Sequence, residues 1–153
     1  MAKKNKAPLF VRAANVMTVT LTHMGFKLVG YGKYPMYLLT IRGRKSGQPR
    51  TVPIVLWERN GERYMASPYG IVDWVRNLRA AGEATLTRGR RTEKVNAREL
   101  PPREAALVMR DDVREGNPFA SSFGVTRDSS LEEFEQAAIG HPMFILQSMG
   151  YTR

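Results

Sequence analysis

The sequence contains no cysteine and only two histidines among its 153 residues. The lack of cysteine excludes disulfides, thiolate metal sites, iron–sulfur clusters and a cysteine nucleophile. A histidine-rich metal site is not expected either, and we assign no metal ligands. No run of about 18 apolar residues is present, so no transmembrane helix is predicted. The N-terminal stretch lacks a continuous hydrophobic signal region, which indicates the cytoplasm as the default compartment.

Charge is unevenly distributed in this chain. Lysine and arginine number 24 against 14 for aspartate and glutamate, which gives a formal net charge of +10. This balance favours an anionic partner: a nucleic acid, an anionic membrane surface, or a ligand that bears phosphate and carboxylates. Cations are dense over residues 42–50 and 76–103, whereas acidic residues collect over 104–135. We therefore expect one face of the protein to be more basic than another.

The first 22 residues are predicted to form a basic amphipathic helical segment. Three lysines precede a stretch from Leu9 to Leu21 in which apolar residues recur at spacings of three and four. Such a helix would either close over the core or lie on the inner face of the plasma membrane, and both interpretations stay open. The length of the chain fits one compact unit, so residues 23–153 are predicted to form a single domain.

The rest of the chain reads as short strands with a few inserted helices. Helices are predicted over Val72–Ala81, Arg103–Arg114 and Leu131–Ala138. Strands are predicted at Met36–Arg42, Arg50–Glu58, Glu62–Ser67, Glu83–Thr87, Arg91–Leu100 and His141–Gln147. Consecutive strands joined by short turns favour antiparallel pairing. The pattern predicts a small β-barrel with peripheral helices.

The segment from Thr40 to Pro53, T-I-R-G-R-K-S-G-Q-P-R-T-V-P, is the most informative part of the sequence. It places four cations, two hydroxyl side chains and two glycines between two predicted strands. Backbone N–H groups made accessible by glycine, next to guanidinium and ammonium groups, suit a phosphate or a carboxylate. The alternative interpretation is a basic β-hairpin with no ligand, because Gly-rich basic turns are common between strands.

The helix that follows presents an indole next to an amide. Trp74 and Asn77 lie at i and i+3, so they share one face, where a planar ring could dock. Trp74 could equally be a core residue that packs with Leu78. Nucleic-acid binding is not expected, because no strand alternates aromatic residues with lysine and arginine, as a base-stacking groove requires.

Other catalytic patterns are weak or absent. The adjacent carboxylates Asp111-Asp112 and Glu132-Glu133 lie in segments that look solvated, so catalysis is not expected there. No G-x-S-x-G elbow is present, and the basic turn lacks the spacing of a P-loop.

Three ordered stretches resemble the deazaflavin-dependent nitroreductase and quinone reductase family of actinobacteria. They are L-L-T-I-R-G-R-K-S-G-Q-P-R-T-V-P-I, N-G-E-R-Y-M-A-S-P-Y-G and D-W-V-R-N-L-R-A-A-G, within Tyr37 to Leu100. The resemblance implies an α+β, mainly β fold, a split β-barrel related to FMN-binding proteins. It also implies the deazaflavin coenzyme F-420, with FMN as the alternative. That coenzyme carries a phosphate and a polyglutamate tail, which gives the cations a physical role.

The resemblance implies an oxidoreductase that passes a hydride from reduced F-420 to a small-molecule acceptor such as a quinone, an enone or a nitro compound. Two alternatives stay open: a module that binds the coenzyme or a flavin without turnover, and a basic peripheral membrane protein. The assembly would be a monomer or a homodimer. The stretch N-P-F-A-S-S-F-G-V-T replaces the tyrosine-rich segment that shapes the substrate pocket of prodrug-activating members. Nitroimidazole activation is therefore not implied.

The site residues follow from the matched motifs. The phosphate and tail carboxylates would be held by Arg44, Lys45, Ser46, Arg50 and Thr51. The residues running beside the coenzyme would be Val52, Pro53, Ile54 and Val55. Backbone groups lining the deazaflavin ring would come from Met65, Ala66, Ser67 and Pro68. The opposite wall would be formed by Asp73, Trp74, Val75, Arg76 and Asn77. The proton donor is not implied, and the hydroxyls of Ser67 and Tyr69 are weak candidates.

Overall fold

The computed structural model describes residues 34–117 and 120–152. The predicted N-terminal helical segment, residues 1–22, lies outside the described residues. Within the described part of the chain, no helix is long and apolar enough to cross a membrane.

Within the described residues, seven strands form one antiparallel sheet. They are β1 (Met36–Arg42), β2 (Pro49–Val55), β3 (Trp57–Arg59), β4 (Glu62–Ala66), β5 (Glu83–Arg88), β6 (Arg91–Glu99) and β7 (Met143–Thr152). Their order across the sheet is β2-β1-β5-β6-β7-β4-β3. The last strand in the chain therefore lies inside the sheet, between β6 and β4, and the two edges of the sheet are β2 and β3.

Three helices begin and end where local signals predict them. They are α1 (Asp73–Ala81), α2 (Pro102–Arg114) and α3 (Leu131–Gly140). Gly82 ends α1 with a φ of 70° and donates its N–H to the Leu78 carbonyl. Pro102 opens α2, where its missing N–H costs no helical hydrogen bond. Ser130 and Glu133 form a capping box at the start of α3.

The prediction of one strand over Arg50–Glu58 is wrong at Leu56. The N–H of Leu56 donates to the carbonyl of Pro35 at 3.0 Å, and its side chain is buried. This hydrogen bond lies one step beyond the Met36–Val55 pair, in the same register as the β1–β2 ladder. The strand ends at Val55, and a new strand with a different partner begins at Trp57. The first piece, β2, pairs with β1, whereas the second piece, β3, pairs with β4.

Two hydrophobic cores lie on opposite faces of the sheet. The inner core lies between the sheet and α1, and Val75 and Leu78 of α1 pack there with Leu39, Leu86 and Phe144. The helical core lies under α2 and α3 on the other face. It contains Trp57, Met109, Phe123, Phe134, Met143 and Ile145. Successive β7 side chains enter the two cores alternately, as the pleat of a strand requires.

A buried carboxylate joins the start of the described chain to the end of α2. Tyr34 donates its hydroxyl to Asp112 at 3.0 Å, and the amide of Asn117 donates to the same carboxylate. Asp112 is 1% exposed, so the expectation that the Asp111-Asp112 pair is solvated is wrong for this residue. Burial, reinforced by the Asp112 charge, raises the pKa of Tyr34 well above its ordinary value. Tyr34 is therefore protonated and serves as a hydrogen-bond donor.

Arg63 of β4 and Glu93 of β6 form a two-pronged ion pair on either side of β7. The two nitrogen–oxygen distances are 2.7 and 2.6 Å. Glu93 is 5% exposed, and the hydrogen bonds from Arg63 lower the pKa of its carboxyl group. The pair fixes the spacing of the strands on both sides of the central strand.

We expect Glu93→Gln to lower the free energy of unfolding at pH 7 by roughly 1.5–3 kcal/mol, the usual contribution of a hydrogen bond to a charged group. Because the pKa of Glu93 is lowered in the folded protein, this contribution is complete above the ordinary glutamate pKa of about 4.3. It disappears as the pH falls through the folded-state pKa. Urea unfolding of both proteins from pH 7 to pH 3 measures the difference.

The matched control is Glu58→Gln, which removes an exposed carboxylate from β3. It should leave the free energy of unfolding within about 0.5 kcal/mol of the wild-type value. A Glu93→Gln deficit that stays constant down to pH 3 would contradict the role given to the Arg63 pair.

Candidate functional site

The interruption at Leu56 leaves an opening between two stretches of backbone. Trp57 pairs with Tyr64, and the same register continued backwards would place Val55 opposite Ala66 and Pro53 opposite Pro68. That pairing is not made, because β2 pairs with β1 instead. We call this opening the split. On its two sides, among the described residues, the edge of β2 away from β1 and the edge of β4 beyond Tyr64 that faces away from β7 have no partner strand.

Two predicted groups of site residues border the split. One is Val52–Val55 on the β2 edge, and the other is Met65–Pro68 at the end of β4. The side chain of Met65 is fully buried in the inner core. Ser67 donates its N–H to Pro142 in the register that pairs Met65 with Phe144, so the backbone groups of Met65 and Ser67 face β7 and those of Ala66 face the split. Unpaired strand edges offer N–H and C=O groups that need partners, which is why such edges bind extended or planar polar groups readily.

The basic turn, residues 43–48, is fixed to α1 by Arg44. The Asn77 side-chain oxygen accepts the backbone N–H of Arg44 at 3.1 Å and its Nη1 at 2.7 Å. A weaker ion pair joins Arg44 to Asp73 at 3.4 Å. Asn77 is 6% exposed, so these hydrogen bonds lie away from solvent. The turn and the helix are thus held together, and part of the Arg44 charge is neutralised within the protein.

Two glycines allow the turn to close tightly. A Cβ at Gly43 would lie 2.9 Å from the Ser46 hydroxyl oxygen and 3.1 Å from the Gln48 carbonyl oxygen, closer than side chains normally approach. Gly47 has a φ of 71°, in the left-handed region. The Gly43 N–H donates to the Gln48 carbonyl at 2.8 Å, which closes the hairpin.

The predicted anion-binding residues do not all face the same way. Arg50 pairs with Ile41, so it points to the inner face of the sheet. Thr51 pairs with Thr40, and the two hydroxyls are 2.9 Å apart on the outer face. Lys45 and Ser46 are exposed at the tip of the turn. The structure therefore groups Arg50 with the α1 side and separates Thr51 from it.

Trp74 forms a half-buried wall at the rim of the inner core. Its ring centroid lies 6.2 Å from that of Phe144, with the planes tilted by 49°. Val52 and Ile71 pack at the same rim. Trp74 therefore packs against the inner core, as one of the two interpretations predicts, and docking of a planar ring on its exposed part stays a prediction. Arg76 directly precedes Asn77 in α1. Its buried Nη1 makes no hydrogen bond and lies 3.8 Å from the Asp73 carboxylate.

The Ser67–Gly70 turn is held from two sides. Ser67 is fully buried and donates its hydroxyl hydrogen to the Gly70 carbonyl, while its N–H donates to the Pro142 carbonyl at 3.1 Å. His141 lies with Nδ1 2.9 Å from the Ser67 carbonyl, which requires a hydrogen on Nδ1. Tyr69 is 45% exposed. Of the two proton-donor candidates, only Tyr69 has a hydroxyl that is accessible from solvent.

His141 was not predicted as part of the site. Its contact with Ser67 spans 74 residues of sequence, and its ring packs edge-on against Phe123 at 5.3 Å. A histidine just before a predicted strand carries no local signal for such a contact. The sequence also did not predict that Asn77 holds the basic turn to α1 by accepting two hydrogen bonds from Arg44. It indicated only that the Asn77 amide shares a helix face with Trp74.

The donor set fits a ligand that is anionic at one end and planar at the other. Arg42, Lys45 and Arg50 are exposed around the turn, and they surround a compact glycine-containing hairpin. The partly buried Trp74 and Val52 offer an apolar surface beside it, bordered by unpaired backbone at the split. Guanidinium and ammonium groups suit phosphate and carboxylate oxygens, and the rim suits an aromatic ring.

A family model for the F420H(2)-dependent quinone reductase family matches residues 12–126, well over half of the chain. No curated protein gives a significant match. Among solved structures, an F420-H2 dependent reductase (FDR-A) is 25% identical, with a TM-score of 0.54, over 80% of this chain and 100% of that chain.

Two further solved structures show the fold alone. A protein described as a domain-swapped dimer is 24% identical, with a TM-score of 0.55, over 90% of this chain and 97% of its own. A Clostridium acetobutylicum protein of the pyridoxinephosphate oxidase family, related to general stress protein 26 of B. subtilis, is 9% identical. Its TM-score is 0.53, over 90% of this chain and 87% of its own. The predicted split β-barrel is confirmed.

Removing the amide of Asn77 should free the basic turn from α1. We expect Asn77→Ala to lower the free energy of unfolding by about 1–3 kcal/mol, because a buried acceptor of two hydrogen bonds is lost. The backbone amides of Gly43 and Gly47 should exchange with deuterium faster, as measured by NMR or mass spectrometry.

Asn77→Asp keeps both acceptor positions and should retain slow exchange in the turn. Asn96→Ala, an exposed asparagine on β6, is the matched control and should change neither quantity. Unchanged exchange at residues 43–48 in Asn77→Ala would show that the turn does not depend on α1.

Proposed function

This chain belongs to the F420H(2)-dependent quinone reductase family, and on that premise we propose that it transfers a hydride from the reduced deazaflavin coenzyme to a quinone. The protein is an F-420-dependent reductase, and coenzyme F-420 is its cofactor. The quinone as acceptor is our proposal. The observation that carries it is the family match over residues 12–126, a range that contains every residue of the predicted site.

We propose that the cations of the basic turn bind the anionic part of the coenzyme. Arg50 and Lys45 are exposed beside the hairpin, with Arg50 on the same side of the sheet as α1. Arg44 has a different task, because Asn77 and Asp73 already bind its guanidinium group. Arg44 holds the basic turn in position against α1. The turn then presents Lys45 and Arg50 to the phosphate and carboxylates of the coenzyme.

The deazaflavin ring would lie at the split. Trp74 and Val52 supply an apolar wall at the rim of the inner core, and the backbone of Ala66, on the edge of β4 away from β7, would supply polar groups opposite. Apolar contact on one side orients the ring and excludes water from it. Backbone hydrogen bonds on the other side fix its position in the plane.

When bound, the reduced coenzyme would supply a hydride, that is, two electrons and a proton nucleus, from its ring. The protein would hold the coenzyme and the acceptor in position. Holding donor and acceptor in a near-attack arrangement of about 3–3.5 Å is the principal task of such a site. The reduced quinone oxygen also needs a proton. Tyr69 is the better donor candidate, because its hydroxyl is accessible, whereas the Ser67 hydroxyl is committed to the Gly70 carbonyl.

Substituting the exposed cations should weaken coenzyme binding. We expect Arg50→Ala and Lys45→Ala each to raise the Kd for oxidised F-420 by about 5- to 100-fold, because a charge-assisted contact contributes roughly 1–3 kcal/mol. Titration of the purified protein while following coenzyme fluorescence measures this Kd. Added salt should reduce the difference in Kd between the wild-type protein and the variants, because salt screens exposed charges.

The control is Arg103→Ala, which removes an exposed cation from the start of α2, on the helical-core side of the sheet. It changes the net charge by the same amount and should leave the Kd unchanged. If all three variants weaken binding equally, general charge attraction explains the binding. If the wild-type protein shows no saturable binding at all, the assignment of the site is wrong.

The acceptor is tested by mixing protein and reduced coenzyme with a quinone, an enone or a nitroaromatic compound, and following coenzyme oxidation by absorbance. We expect the quinone to be reduced with the highest kcat/KM. Tyr69→Phe should lower kcat by about 10²–10⁴-fold if its hydroxyl delivers the proton, with an unchanged Kd for the coenzyme. Binding without oxidation by any acceptor would favour a coenzyme-binding module instead.

A further inference from the structure

The side chain of His141 occupies a place in the sheet that a backbone N–H normally takes. The ladder between β4 and β7 pairs Ala66 with Met143, and its next step would pair Ser67 with Pro142. Ser67 donates its N–H to the Pro142 carbonyl at 3.1 Å. In an antiparallel pair of this kind, the opposite residue donates its own N–H in return. Proline has no N–H, so the Ser67 carbonyl lacks its ladder donor.

His141 supplies the missing hydrogen. Its Nδ1 lies 2.9 Å from the carbonyl oxygen of Ser67, and Ser67 is fully buried. The N–H of Gly70 also points to this oxygen, but at the longer distance of 3.4 Å. Leaving a buried carbonyl without a good donor costs free energy. The contact with His141 therefore completes the β4–β7 ladder at the end that borders the split.

The imidazole ring is fixed on the side away from Ser67. The N–H of His141 donates to the Ala137 carbonyl at 2.9 Å, where α3 ends. The ring packs edge-on against Phe123, which is buried in the helical core, with 5.3 Å between the ring centroids. A donor held in this way has little freedom to follow the carbonyl, so the ring sets where the carbonyl lies.

That carbonyl belongs to the first residue of the turn beside the split. The hydroxyl of Ser67 and the N–H of Val72 both donate to the Gly70 carbonyl, the second at 3.0 Å. Helix α1 begins directly after Val72. Tyr69, which is exposed, lies inside this turn. The hydrogen bond from His141 to Ser67 thus bears on where the Tyr69 hydroxyl is held.

We propose that His141 is a positioning residue for reduction of the acceptor. This inference rests on the proposed function. His141 acts through the Ser67–Gly70 turn: its Nδ1–H replaces the N–H that Pro142 lacks, and the fixed turn holds the Tyr69 hydroxyl where the reduced acceptor oxygen needs a proton. The anionic part of the coenzyme is bound by the cations of the basic turn. Coenzyme binding and proton delivery therefore depend on different contacts.

The test compares His141→Leu with His141→Asn. Leucine fills space against Phe123 but donates no hydrogen bond, whereas the asparagine amide nitrogen is as many bonds from the backbone as Nδ1. We expect His141→Leu to lower kcat for quinone reduction by about 10- to 100-fold, because a displacement of about 1 Å near the reacting atoms can cost that much. His141→Asn should restore most of kcat. Both variants should keep the wild-type Kd for oxidised F-420, measured by fluorescence.

A double variant tests whether His141 acts through Tyr69. If it does, adding His141→Leu to Tyr69→Phe should lower kcat little further, because both changes remove the same contribution. Independent, multiplying losses in kcat would contradict the route through the turn.

Two measurements without coenzyme report on the contact itself. The backbone amides of Tyr69 and Gly70 should exchange with deuterium faster in His141→Leu and at the wild-type rate in His141→Asn. Nitrogen NMR of the wild-type imidazole should show a hydrogen on Nδ1, as donation to Ser67 requires. A ring with its hydrogen on Nε2 alone would overturn the inference.

Phe134→Leu is the control for lost stability. It removes part of a fully buried ring from α3 in the helical core. We expect it to lower the urea midpoint of unfolding while leaving kcat and the exchange of the Ser67–Gly70 turn unchanged. If Phe134→Leu lowers kcat as much as His141→Leu at a similar urea midpoint, general destabilisation explains the loss and the positioning role is wrong.

The outcomes separate this inference from the proposed function. If the wild-type protein reduces the quinone and His141→Leu keeps the wild-type kcat, or His141→Asn fails to restore it, the positioning role is wrong and the proposed function stands. If the wild-type protein oxidises the reduced coenzyme with no acceptor, the proposed function fails and the role of His141 in the reaction fails with it. The exchange rates then still show whether His141 holds the turn.

Discussion

The change of partner strand at Leu56 is the constraint on which the site depends. The N–H of Leu56 donates to the carbonyl of Pro35, one step beyond the Met36–Val55 pair, so the chain follows β1 as far as Leu56 and pairs with β4 only from Trp57 onward. If pairing with β4 began earlier in the same register, Val55 would lie opposite Ala66 and the two strands would close against each other. Because it does not, the edge of β2 away from β1 and the edge of β4 away from β7 have no partner strand among the described residues beyond this point. Leu56 itself remains buried, so the chain keeps apolar contact where its partner strand changes.

The three arginines around the hairpin have different surroundings. Arg44 is bound by α1 through Asn77, and Arg50 points to the inner face of the sheet. Arg42 pairs with Pro49 and points to the outer face, as Thr40 does. A sequence motif presents these residues as one basic cluster. In three dimensions Arg42 and Arg50 lie on opposite faces of the sheet, and Arg44 binds α1.

The sequence predicted the bounds of individual strands and helices, but it did not predict which strands pair or which distant residues contact each other. β1 was predicted with its observed bounds, and the dipeptide Asn60-Gly61 between β3 and β4 has φ angles of 51° and 80°, which asparagine and glycine tolerate. Those features depend on neighbouring residues alone. The change of partner strand at Leu56 depends on where β1 and β4 lie, and the Ser67 turn contacts His141, 74 residues away. The motifs identified the family, but a motif lists residue types in order and does not state which side chain already has a partner within the protein.

The central position of β7 has a consequence for how the chain is made. β4 and β6 are neighbours only through β7, and Arg63 and Glu93 meet only after it has been inserted. On the ribosome, both flanking strands emerge long before residues 143–152 do, so the nascent chain waits with two unmatched strand edges. Such edges are prone to associate with other chains, and pairings between distant segments form slowly. The sheet therefore cannot be completed until residues 143–152 have been synthesised.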